Sequence, residues 1–203
     1  MFVLRSSPFS PFGRKVKIAA SLLELKDRLS VVMADTQDPA DDLRQQNPLG
    51  KIPVLILEDG RAIYDSRVII EYLDHLAGGG RVIPTAADTR FEALTLQALA
   101  DGITDAAILQ VYEKRFRDPA QQSENWLSHQ RGKMDRGLSA LESGSLPEID
   151  AAPTIGVIAL ACALGYLDLR FDGWRPDYPR LAEWLDAFEQ QVPAFTATRP
   201  PAP

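Results

Sequence analysis

The chain has 203 residues, 45% hydrophobic and 25% charged, the balance of a folded globular protein with room for one large core or two small ones. Its 22 basic and 28 acidic side chains leave a net charge of −6, which disfavours a nucleic-acid or anionic-membrane surface. The single cysteine, Cys162, excludes a disulfide within the chain and fits a reducing cytoplasm, no apolar run approaches the ~20 residues of a membrane span, and no metal-ligand spacing links His75, His129 and Cys162.

The opening run MFVLRSSPFSP is too short in apolar residues, and meets proline too early, to read as a signal peptide. FVLR at 2–5 has the length and composition of a strand. Phe12, Val16, Ala19 and Leu23 recur at helical spacing, which puts Arg14, Lys15 and Lys17 on other faces. RLSVVM at 28–33 is β-branched and strand-like, a short helix fits 41–46, and IPVLIL at 52–57 reads as a buried strand. Asp59-Gly60 is a two-residue hairpin signal that returns the chain as AIY at 62–64. DSRVIIEYLDHL at 65–76 opens on a capping pair and carries Val68, Ile69, Tyr72, Leu73 and Leu76 at helical spacing. The order β-α-β-(α)-β-β-α predicts a small mixed sheet: the crossover helix makes the first pair parallel and the hairpin adds an antiparallel pair.

AGGGRVIPTAAD at 77–88 reads as a linker, because its triple glycine follows a helix and lacks the Gly-Lys-Ser/Thr ending of a phosphate loop. Beyond it every periodic segment is helical: 90–116, with Gly102 a candidate kink, then 120–141 after the break at Asp118-Pro119. A loop at 143–153 leads to the apolar helix 154–167, and a polar loop holding Trp174 and Pro176 leads to a last helix at 178–195. The tail TRPPAP is expected to be unstructured. The organisation expected is therefore an α/β domain over 1–76, a linker over 77–88 and an all-helical domain over 89–203.

Three short elements could carry chemistry. Ser10-Pro11 suits a helix start, with serine at the N-cap and proline at N1. An N-cap uses a hydroxyl lone pair and leaves the O–H free, so Ser10 beside a helix N-terminus, with Arg14 and Lys15 following, is also suited to stabilise an anion such as a thiolate. In NPLGKIPVL a proline enters a strand; a cis Ile52-Pro53 bond would turn the Ile52 backbone groups towards an open groove, whereas a trans bond would be an ordinary strand start. Asp65-Ser66, where strand gives way to helix, is either a cap or a site offering an acid for an ammonium and a hydroxyl for a carboxylate. An α-amino acid head carries both charges.

SPFSPFGRKVKIAA, NPLGKIPVLILEDGRAIYDSRVIIEYLD and YPRLAEWLDAFEQQVPAF, in this order and spacing, resemble a cytosolic glutathione transferase of bacterial type over nearly the whole chain, and LADGITDAAIL at 99–109 resembles the first C-terminal helix of one bacterial branch. The resemblance implies a thioredoxin-like domain that binds glutathione, a helical-bundle domain that shapes a second-substrate pocket, a homodimer, and a cytoplasmic location. It implies that Ser10 donates its O–H to the glutathione sulfur, that Ile52 before cis Pro53 pairs with the cysteinyl unit, and that Asp65 and Ser66 hold the γ-glutamyl head. Lys51 would reach the glycyl carboxylate, and Asp101 is the candidate for reaching the partner subunit's γ-glutamyl amine. Phe9, Phe12, Tyr112 and Phe116 are candidate walls of the second pocket, with plain core packing as the alternative. The co-substrates implied are glutathione and a small electrophile or disulfide, with no metal. The serine before Pro11, where some bacterial relatives carry cysteine, leaves three activities: thiolate conjugation, disulfide reduction with two glutathiones, or a non-catalytic binding role. Val157 stands where the family commonly has an acid, so the capping box of the helix at 154 is incomplete and Val157→Asp is expected to raise the melting temperature.

Overall fold

The computed structural model describes residues 1–201. Four strands form one mixed sheet in the order β2-β1-β3-β4: β1 (Phe2–Ser6), β2 (Leu29–Met33), β3 (Val54–Ile56) and β4 (Ala62–Ile63). β1 and β2 run parallel, joined by α1 (Pro11–Leu22), while β3 pairs antiparallel with β1 and β4. This is the expected small mixed sheet. β3 is shorter than the apolar run 52–57, because Ile52 and Pro53 stand before it and Leu57 turns into the hairpin. The short helix α2 (Leu43–Gln46) is held under the sheet edge by Arg5, a buried arginine that reaches Asp41 at 2.7 Å, Gln46 at 3.0 Å, and Asp42. Helix α3 (Ser66–Leu76) packs on α1.

The segment 77–88 has a specific structure. Gly78, Gly79 and Gly80 take φ of 101°, 78° and 76°, a region that side chains rarely adopt. That turn brings the backbone N–H groups of Gly80, Arg81 and Val82 onto the buried Asp74 carboxylate at 2.8–3.0 Å. The triple glycine is therefore the turn that wraps one carboxylate.

The helical half comprises α4 (Ala87–Phe116), α5 (Glu124–Ser143), α6 (Ile155–Arg170), α7 (Trp174–Asp177), α8 (Pro179–Gln191) and α9 (Pro193–Ala197). α4 runs through Gly102 as one helix of 30 residues. The segment expected as one last helix divides at Val192-Pro193, where proline removes a helical N–H, and the loop with Trp174 and Pro176 contains the short α7. Of the tail expected to be unstructured, Ala202 and Pro203 lie outside the described residues, Thr198 donates to Ala194 at 2.8 Å, and Arg199 pairs with Glu189. Apolar α6 is the central column, packed by α4, α1 and α8, so one hydrophobic cluster continues from β1, α1 and α3 into the helical half. Thr154 makes no side-chain cap bond, Val157 offers no acid to the N-cap N–H, the Ile155 N–H donates to the Val82 carbonyl at 2.8 Å, and Val157 is buried in the core.

Candidate functional site

Ser10 sits at the junction of β1 and α1. Its φ and ψ of −79° and 114° are those of an N-cap residue, and its Oγ accepts from the Gly13 N–H at 3.0 Å. Among the described residues its own proton finds no acceptor, so the O–H is free to donate to a ligand. The close turn depends on Gly13: a Cβ there would lie 2.0 Å from the Oγ of buried Ser6. Ser10 opens, with Phe9, onto a cleft whose other wall carries Tyr166 and Leu169 of α6. Cys162 lies deeper in the same wall at 3% exposure, and burial pushes its thiol up to about 11, partly opposed by Arg14. A thiol so buried and so fully protonated is no nucleophile at neutral pH.

Ile52-Pro53 is cis, and so is Tyr64-Asp65, which nothing in the sequence signals. Pro53 is buried and Ile52 half-buried, and the Asn47 side chain holds the Lys51 carbonyl at 2.9 Å. Asp65 caps α3 by accepting from the Arg67 N–H at 2.9 Å, with its side chain towards solvent, and Ser66 is buried beside it. Lys51 is exposed. On α4 the Asp105 carboxyl is raised above its ordinary value, by burial and by the neighbouring Asp101 charge, against the opposing charges of Lys51, Arg67 and Lys15.

Those charges belong to a network that helical periodicity conceals. Lys15, off the apolar face of α1 by its spacing, is nonetheless 1% exposed. Its Nζ lies 2.6 and 2.8 Å from the two oxygens of Asp101 on α4, itself 2% exposed, and Arg67 of α3 reaches the same carboxylate at 3.2 Å. Burial is affordable for this ammonium because its counter-charge is built in. Asp101, the candidate for reaching across a dimer, thus has both oxygens engaged by Lys15 and Arg67 of its own chain. The network ties the helix capped by Ser10 to the helix capped by Asp65. Arg14 is buried as well, donating to the Phe195 carbonyl at 2.8 Å with its guanidinium 3.7 Å from the Phe195 ring centroid.

The four aromatic candidates separate. Phe9 borders the cleft, whereas Phe12 is half-buried with its ring 5.4 Å from the Lys15 ammonium. Tyr112 and Phe116 contact each other edge to face, ring centroids 5.2 Å apart, and both are exposed, so they are not core. Sequence reasoning missed Tyr166 and Leu169, because the apolar run of α6 hides which of its residues face a cleft.

Comparisons with known proteins bear on the family of the whole chain. Residues 9–76 match the family model described as the glutathione S-transferase N-terminal domain, and residues 124–187 match its C-terminal domain. A glutathione transferase family member from Pseudomonas fluorescens Pf-5, crystallised with bound glutathione, is 42% identical over 99% of this chain and 100% of its own, with a TM-score of 0.92. A crystal structure of a family member from the same organism holds S-(propanoic acid)-glutathione, at 41% identity, the same coverage and a TM-score of 0.88. The uncharacterized GST-like protein YibF of Escherichia coli (strain K12) is 36% identical over 95% of both chains. With both halves of the fold matched and full-length relatives well above the level at which homology is secure, this chain belongs to the glutathione transferase family.

Proposed function

We propose that the chain is an active glutathione transferase in which the Ser10 hydroxyl stabilises the glutathione thiolate for attack on a small electrophile. The observation that carries this reading is the free O–H of Ser10 at a helix N-terminus, opening onto a cleft. An ordinary cysteine thiol has a pKa of ~8.5 and is mostly protonated at neutral pH. A hydrogen bond from Ser10 together with the positive end of α1 favours the anion, and each unit of pKa lowering corresponds to about 1.4 kcal/mol. The thiolate sulfur then forms a bond to an electrophilic carbon, which expels a leaving group or, in a conjugated acceptor, takes a proton at the adjacent carbon.

In this reading Ile52, ahead of Pro53, pairs through its backbone with the cysteinyl unit. Asp65 accepts from the γ-glutamyl ammonium, and Ser66 with the first N–H groups of α3 receives its carboxylate. Lys51 takes the glycyl carboxylate. Glutathione and the S-(propanoic acid) thioether held by the Pseudomonas fluorescens relatives support a glutathione site here and a thioether product. A homodimer in the cytoplasm goes with the reading, and the exposed Phe91 of α4, 66% accessible, is a residue that such an interface would cover.

Disulfide reduction on the same site would need two glutathione molecules, since buried Cys162 supplies no reactive thiol. Retention on immobilised glutathione is expected, followed by turnover with 1-chloro-2,4-dinitrobenzene. No retention would contradict the reading, and turnover confined to a small mixed disulfide would replace conjugation with reduction.

A further inference from the structure

Two arginines of this chain are buried, and the protein treats them differently. Arg5 is met by the carboxylates of Asp41 and Asp42, whereas Arg14, 5% exposed, makes no ion pair among the described residues. An exposed arginine without a partner leaves its charge to water, but a buried one does not. Arg14 donates through Nη2 to the Phe195 carbonyl at 2.8 Å and through Nε to the Thr198 hydroxyl at 3.4 Å, and both acceptors are neutral. Among the described residues its Nη1 finds no acceptor. That atom lies against Gly165 of α6, 2.7 Å from where a Cβ would stand, so the glycine makes room for it. Arg14 and Gly165 line the cleft onto which Ser10 opens, and Arg14 is the one charged residue in that lining.

The charged and titratable groups around the guanidinium do not neutralise it. On α1, Lys15 is bound to Asp101, and Lys17 adds positive charge. The carboxylates that act on Arg14 are Glu189 of α8 and Asp168 of α6, and each is paired with another arginine, Arg199 and Arg175. The Cys162 thiol and the Tyr166 phenol, both raised by burial, are neutral where an ordinary thiol titrates, and exposed Arg170 stands over the Phe9 ring. Burial lowers the pKa of Arg14 itself, yet an arginine keeps its proton throughout the range in which thiols ionise.

We propose that Arg14 holds the glutathione sulfur as its anion together with Ser10: the guanidinium, buried in the cleft wall without a carboxylate, supplies the charge and the hydroxyl supplies the hydrogen bond. This deepens the glutathione-transferase reading above and rests on it. On ionisation the thiol proton passes to water, and the sulfur keeps the electron pair. The anion of the ligand is then the counter-charge that the protein itself omits. A mostly apolar lining strengthens the attraction between that anion and a fixed cation. A hydroxyl acts at hydrogen-bond distance, whereas a net charge acts across several ångströms, so the two contributions are separable by substitution.

The test titrates the bound glutathione thiol by its thiolate ultraviolet absorbance in the unmodified chain, Arg14→Gln and Arg14→Lys, with equilibrium binding of S-methylglutathione measured beside it. S-methylglutathione has the same peptide but no thiol proton to lose. Arg14→Gln is expected to raise the apparent thiol pKa by about one unit, a tenfold fall in the ionisation constant, while S-methylglutathione binds as before. Arg14→Lys keeps the charge and should retain most of the lowered pKa. A role confined to anchoring α9 predicts lower stability in both variants with the thiol pKa unmoved, and that result would overturn the proposal. A second arm leaves Arg14 in place and so holds even where Arg14→Gln does not fold. In Ser10→Ala, glutathione sulfonate, permanently anionic at the sulfur position, should still bind roughly tenfold more tightly than S-methylglutathione. Equal affinity there would show that the guanidinium charge does not reach the sulfur. A pKa that rises in Ser10→Ala but not in Arg14→Gln removes Arg14 and leaves the serine reading standing. An ordinary thiol pKa in the unmodified chain overturns both.

Discussion

A lysine 1% exposed beneath the first helix is stable only if something neutralises it, and Asp101 does so with both oxygens. Removing one member of such a pair leaves the other charge buried and bare, at a cost of about 3–5 kcal/mol. Lys15→Met and Asp101→Leu should each lower stability by that amount in chemical denaturation. The double variant should lose far less than the sum, because Arg67, half-exposed, can return to water. Additive losses would mean that the pair does not exist as described. The contrast with Ser10 explains what the sequence could reveal. Ser10, Pro11 and Gly13 are neighbours, and local capping chemistry announces them. Lys15 and Asp101 are 86 residues apart, and a helical wheel that sees only α1 places the lysine off the apolar face with no sign of its partner.

The elements were legible where their signals are local. The hairpin dipeptide, the strand-helix-strand opening and the long helices of the second half all correspond to observed elements. The glycine-rich segment was legible only as punctuation, since its purpose appears once Asp74 is seen to accept from three backbone N–H groups. Asp74→Ala should therefore cost about 2–4 kcal/mol, because those donors lose their only strong acceptor in a part-buried setting; a drop in melting temperature no larger than that of an exposed alanine substitution would contradict it. The start of α6 is a second case. The incomplete box suggested that Val157→Asp would stabilise the helix. Yet a cap contributes about 0.5–2 kcal/mol, burying a valine about 1.5–3 kcal/mol, and Val82 already satisfies the Ile155 N–H. Val157→Asp should accordingly lower the melting temperature, and a rise would show that the cap outweighs the core.

Taken whole, the molecule has one hydrophobic cluster shared by sheet and bundle, with the cleft at the seam where the N-terminus of α1 meets α6. The side of that seam that carries Ser10, Ile52-Pro53 and Asp65-Ser66 was written in contiguous motifs. The opposite wall, Tyr166 and Leu169, comes from α6, whose nearly unbroken apolar run gives no local sign of which residues face a cleft, and it became visible only in three dimensions. Function depends on one claim about this seam, that the Ser10 hydroxyl acts on a sulfur as well as on its own helix. Ultraviolet absorbance of the bound glutathione thiolate against pH, in the unmodified chain and in Ser10→Ala, tests it most directly. The expected result is an apparent thiol pKa well below the ordinary value of ~8.5, rising by about one unit or more in Ser10→Ala. The same pKa in both proteins would reduce Ser10 to a helix cap.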